Sequence, residues 1–222
     1  MKKKILGLLL VTLFIITLTV PSGIEAASYK TKIKKLVNSL GGYEYSLLSQ
    51  LGSGYYGDGD VITVKFTDAE IAKAAAYTGF EYNGAKALKT DTDWEMWSEY
   101  LIPSSVIKTY SKRLFGKKVT YKKLPKSNSD DACGFMDAYI NEKGKPAMFC
   151  WEGETETSFE TYDMTVKKSG STYTCVEEIF YGYWGEHEMD PDKRNFRIIY
   201  TLKKKKGSYY GFVLTGMKIE RI

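Results

Sequence analysis

Apolar residues follow two rhythms along this chain. As far as about residue 116 they recur every three or four positions, the spacing of a helix with one buried face. Beyond it they alternate, the spacing of a half-buried strand. In the first half, "SYKTKIKKLVNSL" (28–40) puts Tyr29, Ile33, Leu36, Val37 and Leu40 on one helical face, and Gly41–Gly42 predict its end. "YEYSLLSQL" predicts a short second helix, "GSGYYGDGD" a loop and "VITVKF" (61–66) a strand. Thr67 reads as an N-cap with Glu70 closing a capping box, and Phe66 and Ile71 as a hydrophobic staple. The helix that follows is expected to end at Gly79. "DTDWEMWSEYL" (91–101) predicts a helix with Trp94, Trp97 and Leu101 on one face. Pro103 starts another, with Val106 or Ile107, Tyr110 and Leu114 inward and Gly116 at its end. The alternating half predicts strands at 117–123, 134–141, 146–152, 158–168, 172–184, 195–204 and 208–220.

Helices first and a meander of strands afterwards define an α+β class, with N-terminal helices packed on a C-terminal antiparallel β-meander. In element order alone, residues 28 to 222 resemble the cone-shaped folds of the NTF2-like and cystatin-like groups. A small β-barrel is the second choice. That resemblance implies a curved antiparallel sheet but no activity, because such folds host enzymes, binding modules and dimers alike.

The first 26 residues stand outside this pattern. Lys2, Lys3 and Lys4 precede an unbroken apolar run, Ile5 to Val20, and Pro21–Gly23 end it before "IEAA". This is the layout of a secretory signal peptide cleaved after Ala26. Retention as a membrane anchor is the alternative, although 16 residues is short for a span. The organisation expected is therefore 1–26 signal peptide and 27–222 a single α+β domain, helical over about 28–116 and sheet over about 117–222. The C-terminal "MKIERI" has no apolar tail, so no cell-wall sorting signal is expected. Cleavage removes three lysines and one glutamate, and the formal charge falls from +5 to +3. So mild an excess, with no recognisable module, argues against nucleic acid. The Lys-rich, Tyr-rich style resembles small secreted proteins of Gram-positive bacteria.

Chemistry is limited by what is scarce. Cys133, Cys150 and Cys175 form an odd set without C-x-x-C spacing, which excludes a redox motif and reads as buried small apolar side chains. His187 is the one histidine, so any Ser-His or Cys-His mechanism would have to use it. "HEMDP" is not H-E-x-x-H. From Glu186 the acids fall at alternate positions, yet Pro191 and Arg197 stand where a calcium loop needs Gly and Glu, so that stretch and "YYGDGD" read as solvated loops. No metal, cofactor or catalytic residue is assigned.

One carboxylate stands out. If Ser169–Gly170 is a two-residue turn, Met164 faces Cys175, and Glu177 lies on the same apolar face opposite Tyr162, in line with Tyr181 and Tyr183. A carboxylate buried there would titrate high. It could equally be satisfied by Tyr162 or Arg197, or sit at a rim. "FYGYW" (180–184) offers aromatic contact area beside His187. The candidate ligand-binding set is Tyr162, Glu177, Tyr181, Tyr183, Trp184 and His187. The reading is a secreted, non-catalytic binding or accessory domain of unknown ligand, with an extracellular ligand or protein as partner. The alternatives are a secreted hydrolase using Glu177 in a pocket and an inhibitor or immunity-type partner protein.

Overall fold

A computed structural model describes residues 22–52, 61–83, 88–90, 97–126, 136–151, 157–183 and 194–222. Residues 1–21, with the apolar run expected to be a signal peptide, the acidic stretch with Trp184 and His187, the "YYGDGD" stretch, Trp94 and Cys133 lie outside the described residues. Among the described residues no helix is long and apolar enough to cross a membrane.

Helix α1 (Ser22–Val37) buries Ile33, Leu36 and Val37, the stripe its 3.6-residue period predicts. It ends at Val37, before the glycine pair. A 3-10 turn (Asn38–Leu40) leads straight into α2 (Gly41–Gly52), and the Gly42 N–H is bonded by the Glu81 carboxylate. Strand β1 (Val61–Val64) follows. Helix α3 (Asp68–Asn83) is capped as predicted, with the Glu70 N–H donating to Thr67 Oγ1 at 3.3 Å. The Glu70 carboxylate does not close the box. It accepts the Tyr43 hydroxyl, while the Thr67 N–H donates to Lys65 O.

Helix α3 runs past Gly79, because that glycine serves close packing. A Cβ there would lie 2.2 Å from Val106 Cγ1 and 3.2 Å from the Tyr110 ring on α4 (Ser104–Phe115). Gly79→Ala is expected to destabilise the fold. Overpacking of about 1–3 kcal/mol outweighs a gain of at most about 1 kcal/mol in helix propensity. Val106→Ala in the same chain should recover most of the loss. Denaturant midpoints for the double-mutant cycle would measure this, and additive effects would rule out the contact.

The segment predicted as a helix over 91–101 is in part a strand. Trp97–Leu101 (β3) pairs with β2 (Leu88–Thr90) and with β5 (Pro146–Trp151), which also pairs with β4 (Met136–Ile140). Five residues with two aromatics suit either period, and the strand partner decides. A second prediction fails at 117–123. The chain there has no strand partner and ends in a 3-10 turn (Tyr121–Lys123), held by Val119 N–H donating to Ser111 Oγ at 3.0 Å.

The larger sheet has the order β1–β9–β8–β7–β6, with β6 Thr157–Ser169, β7 Thr172–Tyr183, β8 Phe196–Lys204 and β9 Phe212–Arg221. All its pairings are antiparallel. The α+β class holds, with two corrections. The strands do not form one meander, because β4 and β5 leave to build the four-stranded sheet β2–β3–β5–β4. Neither sheet closes, so the small barrel is excluded: the larger sheet ends at β1 on one side and β6 on the other. Helices α1 and α4 pack on the larger sheet, while α3 meets α2, α4 and strands β4 and β5 of the smaller one. Ala72 and Ala74–Ala76 are therefore buried around much of the helix.

Candidate functional site: a buried carboxylate pair

The position of Glu177 depends on the β6–β7 hairpin. Gly170 (φ 57°) and Ser171 form its turn, and Ser169 pairs with Thr172. Glycine takes the first central position because both common two-residue hairpin turns need positive φ there. The predicted turn, Ser169–Gly170, placed it second. The register consequently moves by two residues, and Glu177 lies opposite Met164 rather than Tyr162. A shift of two keeps every side chain on its face. Glu177 is thus on the core face as expected, and 3% exposed. A bulge between Thr161 and Asp163 adds Tyr162 as an extra residue and brings Thr161 to Glu177.

Three elements converge on this carboxylate. From β6, Thr161 Oγ1 donates to Glu177 Oε1 at 2.6 Å. From β8, Tyr200 Oη lies 2.8 Å from Glu177 Oε2 and 2.5 Å from Glu44 Oε1. Glu44 comes from α2 and is 2% exposed. A phenol carries one hydrogen. Tyr200 can donate to only one of the two carboxyl groups, so the other contact needs a proton on a carboxyl. The electrostatics say which one. The Glu44 carboxyl is held well above the usual carboxylate range, first by burial and then by the neighbouring Glu177 charge. Glu177 is also raised by burial, but the Thr161 and Tyr200 hydrogen bonds work against that shift. The Tyr200 hydroxyl is raised far enough to stay protonated. The satisfied arrangement is a chain of donors: Glu44 as the acid donates to Tyr200 Oη, Tyr200 donates to Glu177, and Thr161 completes the Glu177 carboxylate.

Cys175 lies next to this chain on β7. Burial, then the Glu177 charge, pushes its thiol up to about 12, so it remains a thiol at neutral pH. Cys150 is buried in the other sheet. On the outer face of β7, Glu178 accepts from Arg194 and from Arg197 (2.8 Å), and these cations lower its pKa. Arg197, one of the partners considered for Glu177, therefore serves Glu178 and reaches Glu220 at 3.4 Å.

Of the other candidates, the side chains of Tyr162 and Tyr181 are described, and neither contacts the Glu177 carboxylate. Tyr181 is 7% exposed and packs edge-on against Tyr45 and Phe196, so its ring offers no outer contact area. Tyr162 is half-buried, and its enclosed hydroxyl has no hydrogen-bond partner among the described residues. The backbone of Tyr183 ends β7. Trp184 and His187 lie outside the described residues, as does the acidic stretch around them. Among the described residues no group of three His, Cys, Asp or Glu side chains is placed to hold a metal ion.

Sequence reasoning missed Glu44, Thr161 and Tyr200. The signal for Glu44 was present: with Leu47, Leu48 and Leu51 it makes an i, i+3, i+4, i+7 stripe headed by an acid. Tyr200 likewise alternates with Phe196, Ile198 and Leu202, all buried. Nothing local told that these two residues meet. No protein-family model, curated protein or solved structure matches the chain.

Proposed function

We propose that the protein is a secreted, non-catalytic binding domain that meets its ligand or partner outside the cell. One observation carries the non-catalytic part: the carboxyl pair is closed off and internally satisfied. Glu177 and Glu44 are each almost fully buried, and their hydrogen bonds run to Tyr200 and Thr161. A general acid must come within hydrogen-bond reach of the group it protonates. Among the described residues Glu177 bonds Thr161 and Tyr200, so the cluster ties α2 to the sheet rather than serving a substrate. Secretion rests on the N-terminal layout of basic head, apolar run and small-residue cleavage point. The four long antiparallel strands β6 to β9, with α1 and α4 packed on their sheet, support reading this half as a cone-type fold elaborated by the second sheet.

The test compares the protein with its Glu177→Gln variant, in thermal melts and in turnover assays with cell-wall sugars, peptides and soluble polyanions. A ligand that binds the native state raises the midpoint by mass action. The expected result is a rise with one ligand class, equal in both proteins, and no turnover. Turnover by the wild type that is lost in a folded Glu177→Gln variant would establish the hydrolase reading instead.

A further inference from the structure

Away from the buried carboxylates, the C-terminal end of α4 and the β8–β9 turn form an open groove of about 540 Å³. Its cations are Lys108, Lys112, Arg113, Lys118, Lys205 and Lys206, and among the described residues no acid lines it. Along the chain these cations are far apart, in 108–118 and 205–206. The fold joins them, because Lys205 Nζ donates to Gly116 O at 2.8 Å and draws the turn against the helix end. With those six set aside, the rest of the expected mature chain carries a net charge of −3, so a mild overall charge conceals one concentrated positive face.

A basic helix C-terminus has an ordinary explanation, since cations there complement the helix dipole. That accounts for Lys112 and Arg113 in the last turn. It does not account for Lys118 and Lys206, which add like charge to the same concavity. Among the described residues, Lys108, Lys112, Lys118 and Lys206 have no acidic partner within ion-pair distance. The Arg113 guanidinium carbon lies over two rings, 5.0 Å from the Tyr110 centroid and 4.5 Å from that of Tyr209. Cation–π contact holds a guanidinium in place, and its N–H groups suit bidentate contact with an oxyanion. Unpaired ammonium groups around it act as point charges suited to phosphate.

We propose that this groove binds a linear polyanion carrying closely spaced phosphate groups, and that this is the ligand class of the binding domain proposed above, on which the inference rests. The groove is open to solvent, so an extended chain can lie in it. A base-containing strand would call for several free aromatic faces, and among the described residues the groove offers Tyr209 alone, 66% exposed but already in contact with Arg113. A membrane surface would call for an apolar face beside the cations, and the lining supplies none beyond the same ring.

The experiment titrates the purified protein with inorganic polyphosphate at several salt concentrations. Lys112→Gln/Lys206→Gln is compared with Lys143→Gln/Lys145→Gln, which removes equal charge from the β4–β5 turn of the other sheet. All four lysines are exposed, so circular dichroism should show unchanged folding. The groove variant is expected to bind at least ten-fold more weakly, and its log–log salt slope to fall by about two, roughly one per cation lost. The control should bind as the wild type does. Equal loss in both variants would reduce the effect to net charge and overturn the proposal. Tighter binding of a single-stranded DNA of matched phosphate count, or binding confined to anionic vesicles, would overturn it in favour of those partners. A ligand that raises the melting midpoint of both variants equally, with no polyphosphate binding, would sink the groove and leave the binding-domain reading standing. Turnover dependent on Glu177 would sink that reading alone, provided the groove variant still loses polyphosphate.

Discussion

Tyr200→Phe is expected to destabilise the protein by about 3 kcal/mol, although it removes a single oxygen atom. The hydroxyl stands between two buried carboxyl groups, 2.5 Å from Glu44 and 2.8 Å from Glu177. Without it, the Glu44 acid loses its acceptor and the Glu177 carboxylate keeps Thr161 as its remaining described donor. A buried polar group stripped of its partner costs about 1–3 kcal/mol, and more when charged. For a chain of this size the thermal midpoint should fall by roughly 6–12 °C. Tyr209→Phe is the control, since its ring is exposed and its effect should stay within about 0.5 kcal/mol. A second substitution sharpens the reading. Glu44→Leu added to Tyr200→Phe removes the orphaned acid, and replacing partners together by apolar groups is far less costly than removing one. The double variant should therefore be more stable than Tyr200→Phe alone. If Tyr200→Phe melts with the Tyr209→Phe control, the chain of donors contributes nothing to the fold.

How far this site was legible follows from two different kinds of signal. Parity was readable: alternation along β7 puts Cys175, Glu177 and Ile179 on one face, and that survives a register error of two. The partners of Glu177 were not. They depend on the bulge at Tyr162, which no residue type announced, and on a helix 133 positions upstream of Glu177 turning Glu44 inward. Pairing across such distances is decided by tertiary packing, to which local periodicity is blind. The same limit explains the sheets. The long strands β6 to β9 were found within a few residues because alternation over nine or more positions leaves little room for another period. Strand β3 is five residues long and was read as a helix, because Trp97 and Leu101 fit either spacing. Gly79 was read as a stop signal, whereas its lack of a side chain is used by Val106 from the next helix. The basic groove hides in the same manner: its lysines are ordinary along the chain and collect only when the β8–β9 turn docks on α4.

The proton on Glu44 makes a second large effect, visible in how stability depends on pH. Its carboxyl titrates well above the ordinary range when folded, and at its ordinary value of about 4.5 when unfolded. Between those two values the folded state holds a proton that the unfolded state has lost. Stability then falls as pH rises, by up to about 1.4 kcal/mol per pH unit for one such proton. The contribution is complete below about pH 4.5 and is lost progressively as pH rises towards the folded value. Glu177 and Glu81 are shifted in the same direction by burial. Asp68, Glu178 and Glu220 are lowered by their lysine and arginine partners, and they act oppositely, losing stability as pH falls. Glu44→Gln separates these terms. Glutamine keeps a donor for Tyr200 Oη and cannot ionise, while every other group remains. The variant should therefore match or fall slightly below the wild type near pH 4, and exceed it increasingly from pH 5 to pH 8. Denaturant midpoints across that range give the difference curve directly. A difference that stays flat would mean that Glu44 ionises in the folded state as readily as in the unfolded one, and that the two contacts of Tyr200 do not share a carboxyl proton.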